Sequence, residues 1–303
     1  MYYYSFSTYL KNKFGCKVRR ISLDAGFTCP NRDGTISTGG CVFCNDAGYS
    51  PFAGAGIPLE RQIEKAINGG LKRKKAEKFI AYFQTGTNTY GDPEYLRSLY
   101  DIVTHYPDVV GLYISTRPDC VNDKILDLIA GYMPEYDVWI EYGVQTSRDA
   151  TLEAINRGHD FSASRAAICA SSSRRIKTAA HVILGLPGET KDDMLSTAAE
   201  LAALPLDGIK LHVLHVLRGT KLEEEYLNKK VGLLSRDGYA ALACDFLENT
   251  PPDRVIMRLV SDAKEEYLVA PDWINDKPKA LGAIEAEFGR RGTRQGCRIP
   301  FRV

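Results

Sequence analysis

The chain has 303 residues, 44% of them apolar and 25% charged, and its 39 basic and 38 acidic side chains leave a net charge of +1. That balance suits a folded globular protein and gives no global positive field of the kind a dedicated nucleic-acid binder carries. No stretch approaches the roughly 18 apolar residues of a membrane span, and the start Met-Tyr-Tyr-Tyr-Ser-Phe lacks the basic head and apolar core of a signal peptide. A cytoplasmic protein with no membrane association is therefore expected, and its eight cysteines are expected as thiols.

In chain order, the first short β-rich run covers 18–23 and is followed by a Gly-rich loop. Pro58 then opens a helix whose Leu59, Ile63, Ala66 and Ile67 form an apolar stripe. A second strand is expected over 79–83. Asp92 can cap the next helix, with Pro93 at its first position and Glu94 in its first turn. Further strands are expected over 110–115, 138–144, 179–184, 209–216 and 255–259, each bounded by Gly, Pro or polar residues. Two intervening helices begin at capping-box spacings, Thr190 with Asp193 and Thr220 with Glu223.

This alternation predicts an α/β chain in which helices cover the outer face of a parallel sheet, as an open or closed barrel of six to seven strands. In such barrels the chemistry sits at the C-terminal ends of the strands. The rhythm breaks after residue 261. The expected organisation is a barrel over 1–261 and a C-terminal extension or lid over 262–303.

Five cysteines stand alone, at 16, 120, 169, 244 and 297. The other three, Cys29, Cys41 and Cys44, fall in one loop rich in glycine (Gly26, Gly34, Gly39 and Gly40). Three readings compete. Buried thiols without metal fit poorly with three cysteines in one such loop. Structural zinc wants four ligands, and no histidine lies between Cys29 and Cys44. An iron–sulfur cubane on three thiolates leaves one iron open to a small chelating molecule. For the isolated Cys120 and Cys297, inert packing is the plainer reading, with hydrogen-atom donation to a substrate radical as the sharper one.

Five further segments decide between these readings. They are Tyr-Phe-Gln-Thr-Gly-Thr-Asn-Thr-Tyr at 82–90, Ser-Thr-Arg-Pro-Asp-Cys at 115–120, and Trp-Ile-Glu-Tyr-Gly-Val-Gln-Thr-Ser at 139–147 with Asn-Arg-Gly-His at 156–159. The last two are His-Val-Ile-Leu-Gly-Leu-Pro-Gly-Glu-Thr at 181–190 and Ile-Lys-Leu-His-Val-Leu-His-Val at 209–216. With the cysteine triplet they resemble the radical S-adenosylmethionine (SAM) superfamily, in the branch of the Elongator catalytic subunit and coproporphyrinogen dehydrogenases. The nearest likeness is to the small bacterial YhcC and YtqA type, which shares the long first cysteine gap. The fold implied is a partial TIM-type (β/α)6 radical SAM barrel.

The resemblance implies a [4Fe–4S] cluster on Cys29, Cys41 and Cys44, with SAM as the chelating molecule. It implies a flavodoxin or ferredoxin-type electron donor, and cleavage of SAM to a 5′-deoxyadenosyl radical. Gln84, Thr85, Thr87 and Asn88 stand where the family binds the SAM amino group, although its Gly-Gly-Glu is missing here. Glu141 or Gln145 would meet the ribose hydroxyls, which a carboxylate accepts well, and Arg157 would reach the SAM carboxylate. Backbone near Ile183 would contact the adenine. Gly158 would cap a helix. Gly185, Gly188 and Lys191 do not fit the phosphate-loop spacing.

Arg117 is a candidate anion contact, with a salt bridge to Asp119 or Glu141 as the competing reading. His212 and His215 lie three apart on an expected strand, which puts them on opposite faces: one would face the cavity and the other would pack. Three functions remain open. The first is tRNA wobble-uridine modification, resting on the resemblance and on basic runs at 72–75 and at Arg290, Arg291, Arg294, Arg298 and Arg302. The second is an oxidoreductase acting on a small metabolite or tetrapyrrole-like molecule, whose carboxylates the arginines would bind. The third is a non-catalytic iron–sulfur sensor.

Overall fold

The computed structural model describes residues 1–45, 56–72 and 76–299. In chain order the helices and strands are α1 (Phe6–Phe14), β1 (Val18–Leu23), α2 (Leu59–Lys72), β2 (Lys78–Phe83), α3 (Pro93–Tyr100), β3 (Val109–Thr116), α4 (Asp123–Ala130), β4 (Asp137–Gln145), α5 (Asp149–Ala154) and α6 (Phe161–Ser173). They continue with β5 (Lys177–Leu184), α7 (Lys191–Ala203), β6 (Gly208–Val213), β7 (Val216–Leu217), α8 (Lys221–Leu227), α9 (Arg236–Glu248), β8 (Val255–Arg258), β9 (Leu268–Ala270) and α10 (Lys277–Arg291).

Seven strands form one parallel sheet in the order β1-β2-β3-β4-β5-β6-β8, the curled half-barrel of a partial TIM-type fold. Parallel pairing requires a crossover between neighbours, and the helices supply most of them. Strand residues are accordingly buried on both faces: every residue of β4 is buried, as are five of the six in β2.

The helix starts follow from local hydrogen bonding. Asp92 accepts from the Tyr95 N–H at 3.0 Å, with Pro93 at the first helical position. Thr190 and Asp193 form a full capping box. At α8 half of the box forms: Thr220 accepts from the Glu223 N–H, but the Glu223 carboxylate takes the Gly219 N–H instead. Gly158 is not a helix cap. Helix α5 ends at Ala154 with Ile155 as its C-cap, and Asn156 takes the left-handed conformation (φ 52°).

One end of the barrel is closed by α1. Its Leu10 and Tyr9 pack with Tyr113, Trp139, Ala179, Val255 and Met257. The buried Asp137 carboxylate there accepts from the hydroxyls of Tyr9 and Tyr113, the Trp139 indole and the Lys177 ammonium. Every lone pair on that carboxylate has a donor, which is the condition for burying it.

The strand expected over 209–216 is interrupted. The parallel strand ends at Val213, and Val216–Leu217 pairs antiparallel with β9. The 262–299 segment packs on the barrel through β9 and through α10 against α9. Replacing Thr190 by Ala removes the α7 cap, and urea unfolding should show a loss of about 1 kcal/mol.

Candidate active site

The cysteine loop wraps the mouth of the barrel at the C-terminal end of β1. The N–H groups of Arg32 and Asp33 bond to the Cys29 carbonyl, and that of Cys44 bonds to the Cys41 carbonyl at 2.9 Å. The second bond folds Cys41 and Cys44 into one tight turn. The Cys41 sulfur is buried and receives two donors, Arg157 Nη1 at 3.5 Å and Asn31 Nδ2 at 3.7 Å. A hydrogen bond from Cys44 is the largest cause that pulls the Cys41 thiol down to about 5, against burial and with help from Arg157.

The space around these donors is tight. A Cβ on Gly158 (φ 77°) would lie 2.6 Å from Asn31 Oδ1, and one on Gly143 would lie 2.6 Å from Arg157 Nη2. Gly158 therefore serves the cysteine loop, not a helix end. Among the described residues no three His, Cys, Asp or Glu side chains stand converged on a common ion position.

Beside the loop lies a cavity of about 470 Å³, lined by Cys44 and by the C-terminal halves of the strands. Gln84, Thr85, Gln145, Ile183 and His215 all line it. Gln145 takes a left-handed conformation (φ 72°) at a register shift between β4 and β5. Such strain in a non-glycine residue persists only where the surroundings fix it, and it clusters at functional sites.

Other expected site residues sit elsewhere. Glu141 does not face the cavity mouth: it is fully buried in the floor. Its carboxylate accepts from Lys210 Nζ at 2.5 Å, His181 Nε2 at 2.7 Å, Tyr82 Oη at 2.8 Å and Arg20 Nη1 at 3.4 Å. Four donors thus engage the carboxylate beneath the residues that line the cavity. Burial opposes its charge, but Lys210, His181 and Arg20 outweigh burial and hold the carboxyl well below its usual range. Arg157 does not reach toward the cavity either, because its second amino group bonds to the Gly143 carbonyl at 2.7 Å.

Asn88 is buried and donates to the Ser115 carbonyl. Arg117 forms the salt bridge to Asp119, at 2.7 Å. Burial works against the Arg117 charge, and the Asp119 contact more than offsets it. Thr87 is buried, its N–H bonded to the Thr28 carbonyl.

The two histidines do not divide as expected. Both His212 and His215 line the cavity, because β6 stops at Val213 and the strand alternation does not continue to 215.

The C-terminal arginines form an ion-paired cluster away from the cavity. Arg291 bonds Asp245 and Glu287 and also contacts Glu248; Arg290 pairs with Glu287, and Arg298 with Glu248. Arg294 is exposed. Arg302 and residues 73–75 lie outside the described residues. Of the lone cysteines, Cys297 is exposed and Cys120 is half-buried, its thiol pushed up to about 12 by burial and Asp119.

Sequence reasoning missed the polar floor of Arg20, Tyr82, Lys210 and Arg258. A signal was present. In strands that otherwise read as buried, polar side chains recur at every second position: Arg20 and Ser22, Tyr82 and Gln84, Lys210 and His212.

A family model described as "Radical SAM superfamily" matches residues 32–201, and one described as "Radical_SAM C-terminal domain" matches 206–290. The chain belongs to the radical SAM superfamily, as an enzyme of that group whose reaction is a separate question. It is 40% identical to YtqA of Bacillus subtilis, over 97% of this chain and 92% of that one. It is 27% identical to the tRNA uridine(34) acetyltransferase of Dehalococcoides mccartyi, over 53% of this chain and 35% of that protein. The archaeal Methanocaldococcus infernus Elp3 shares its fold, with a TM-score of 0.66 at 15% identity over 92% of this chain and 64% of that one. No helix among the described residues is long and apolar enough to cross a membrane.

His181 is held neutral by burial, and its pKa is pushed down to about 4. Between about pH 6.5 and 4 the unfolded chain therefore binds a proton that the folded chain does not, and stability falls on acidification. Chemical unfolding across that window should show a loss on the order of 1 kcal/mol per pH unit, a slope that His181→Asn flattens. Glu141→Ala strands Lys210 and Arg20 without a counter-charge, and should cost about 3–5 kcal/mol by the same assay.

Proposed function

We propose that Cys29, Cys41 and Cys44 hold a [4Fe–4S] cluster beside a SAM site, and that the enzyme modifies a wobble-uridine side chain of tRNA. The cluster and SAM together supply, when bound, one-electron cleavage of the sulfonium and a 5′-deoxyadenosyl radical that takes a hydrogen atom from substrate. One observation carries the reading: the buried Cys41 sulfur meets a cationic guanidinium and an amide N–H at the edge of the cavity that Cys44 lines. Donors aimed at sulfur suit a thiolate ligand of an iron–sulfur centre and would serve no hard, oxygen-loving cation.

The residues have distinct tasks under this reading. Arg157 and Asn31 stabilise the Cys41 thiolate. Gln84, Thr85 and Gln145 offer amide and hydroxyl groups to the polar parts of SAM, and Ile183 offers an apolar face for the adenine. The Thr85 hydroxyl is buried with no partner among the described residues, so it has hydrogen-bonding capacity to give. Glu141 positions the floor. A flavodoxin or ferredoxin-type protein delivers the electron in a cytoplasmic setting, and the closed barrel end keeps bulk water from the reacting centre.

The tRNA assignment rests on the named activity of the uridine(34) acetyltransferase relative and on the Elp3-like fold. A second reading, an oxidoreductase acting on a small metabolite, is favoured by the ion-paired state of Arg290, Arg291 and Arg298, which removes most of a phosphate-binding patch. Anaerobic reconstitution with iron and sulfide, followed by dithionite and SAM, should yield 5′-deoxyadenosine by mass spectrometry, and Cys44→Ala should yield none. Added tRNA from cells lacking this enzyme should change mass at a uridine. Turnover that leaves all tRNA nucleosides unchanged sinks the first substrate assignment and moves it to the second.

A further inference from the structure

The cavity is chemically lopsided. The residues assigned above to the cluster and SAM lie toward the cysteine loop, β2, β4 and β5. The β6–β8 side and the floor carry something else. Among the described residues four cations, Arg20, Lys210, Arg258 and Lys277, line the space together with one carboxylate, Asp262. Glu141 beneath the floor balances one of Arg20 and Lys210, and Asp262 sits 2.7 Å from Lys277. Burial pulls the Lys210 ammonium down to about 7, yet even the other three cations, Arg20, Arg258 and Lys277, outnumber the two carboxylates and leave a positive excess.

Arg258 is the least compensated of the four. Its nearest carboxylate, Asp262, is 3.7 Å away and half-exposed. Its Nη2 rests against both ring nitrogens of His212, at 2.8 and 2.9 Å. A ring nitrogen can accept a hydrogen bond but brings no negative charge. Its Nε is buried and has no partner among the described residues. A guanidinium has five donors and no acceptor, so an unfilled donor in a closed site calls for an anion.

His215 adds a second unfilled position. Its Nδ1 lies 3.0 Å from the Val213 carbonyl, which can only accept, so Nδ1 carries the proton. The other nitrogen, Nε2, is then a bare acceptor, buried and without a partner. Burial keeps the ring from gaining a second proton.

We propose that the β6–β8 side of the cavity is a substrate subsite for a small anionic group, a carboxylate or phosphate, held by Arg258 with Lys277, while His215 Nε2 accepts from a neighbouring N–H or O–H of the same molecule. This rests on the cavity being the reaction chamber, and it adds the charge class of what enters. It concerns a group other than the carboxylate of SAM, whose amino-acid end is assigned to the cysteine side.

The test uses reconstituted protein with SAM bound, titrated calorimetrically with succinate, with inorganic phosphate and with the neutral succinamide. At least one anion should bind saturably and succinamide should not. Arg258→Gln should weaken that anion at least tenfold, and Lys277→Met, at a half-exposed position, should weaken it measurably without threatening the fold. Stronger binding of succinate assigns a carboxylate, and stronger binding of phosphate a phosphoryl group. Iron content and SAM affinity, measured on the same samples, separate the two levels of the argument. If they are intact and no anion binds, or if both variants bind the anion as the wild type does, the subsite is refuted while the radical SAM reading stands. Missing iron with anion binding intact would do the reverse.

Discussion

A carboxylate buried at the centre of the barrel organises this molecule. Removing a charge from water costs several kcal/mol unless partners replace the lost hydration. For Glu141 on β4 those partners come from β1, β2, β5 and β6, as Arg20, Tyr82, His181 and Lys210. Because the partners are spread over four strands besides β4, the network closes only when the sheet is curled to the observed degree. The same atoms form the floor of the cavity, so the shape of the barrel and the position of the site are set by one interaction.

The cysteine loop is built on the opposite principle. It carries little regular structure, and its form depends on glycines in the left-handed region and on backbone bonds around Cys29 and Cys41. Asn31 from within the loop and Arg157 from beyond β4 place polar and positive hydrogens on one sulfur. The loop is thus tied to the sheet through the end of β4, where Gly143 accepts from the same arginine. Chemistry at the loop and geometry at the floor are coupled through that strand.

Much of this was legible in the sequence. The expected strands match the observed ones within one or two residues at most ends, because each is a short apolar run between turn formers and parallel pairing leaves no alternative surface. The cysteine triplet stood out by its spacing. Where the structure differs from the expectation, the difference has a physical cause. Glu141 and Arg157 read as cofactor contacts because a sequence shows residue type but not which partner has already claimed it. The split after Val213 depends on β9, which comes from more than fifty residues away, and no local pattern announces it. The C-terminal arginines looked like a phosphate patch because their acidic partners, Asp245 and Glu248, sit on another helix.

The central claim is that three cysteines of one loop hold a cubane cluster with an iron open to SAM. Electron paramagnetic resonance of the anaerobically reconstituted, dithionite-reduced protein tests it most directly. The account predicts about four irons per chain, a reduced-cluster signal whose line shape changes when SAM is added, and loss of that signal in each of Cys29→Ala, Cys41→Ala and Cys44→Ala. A protein that takes up zinc instead, or whose signal ignores SAM, would contradict it.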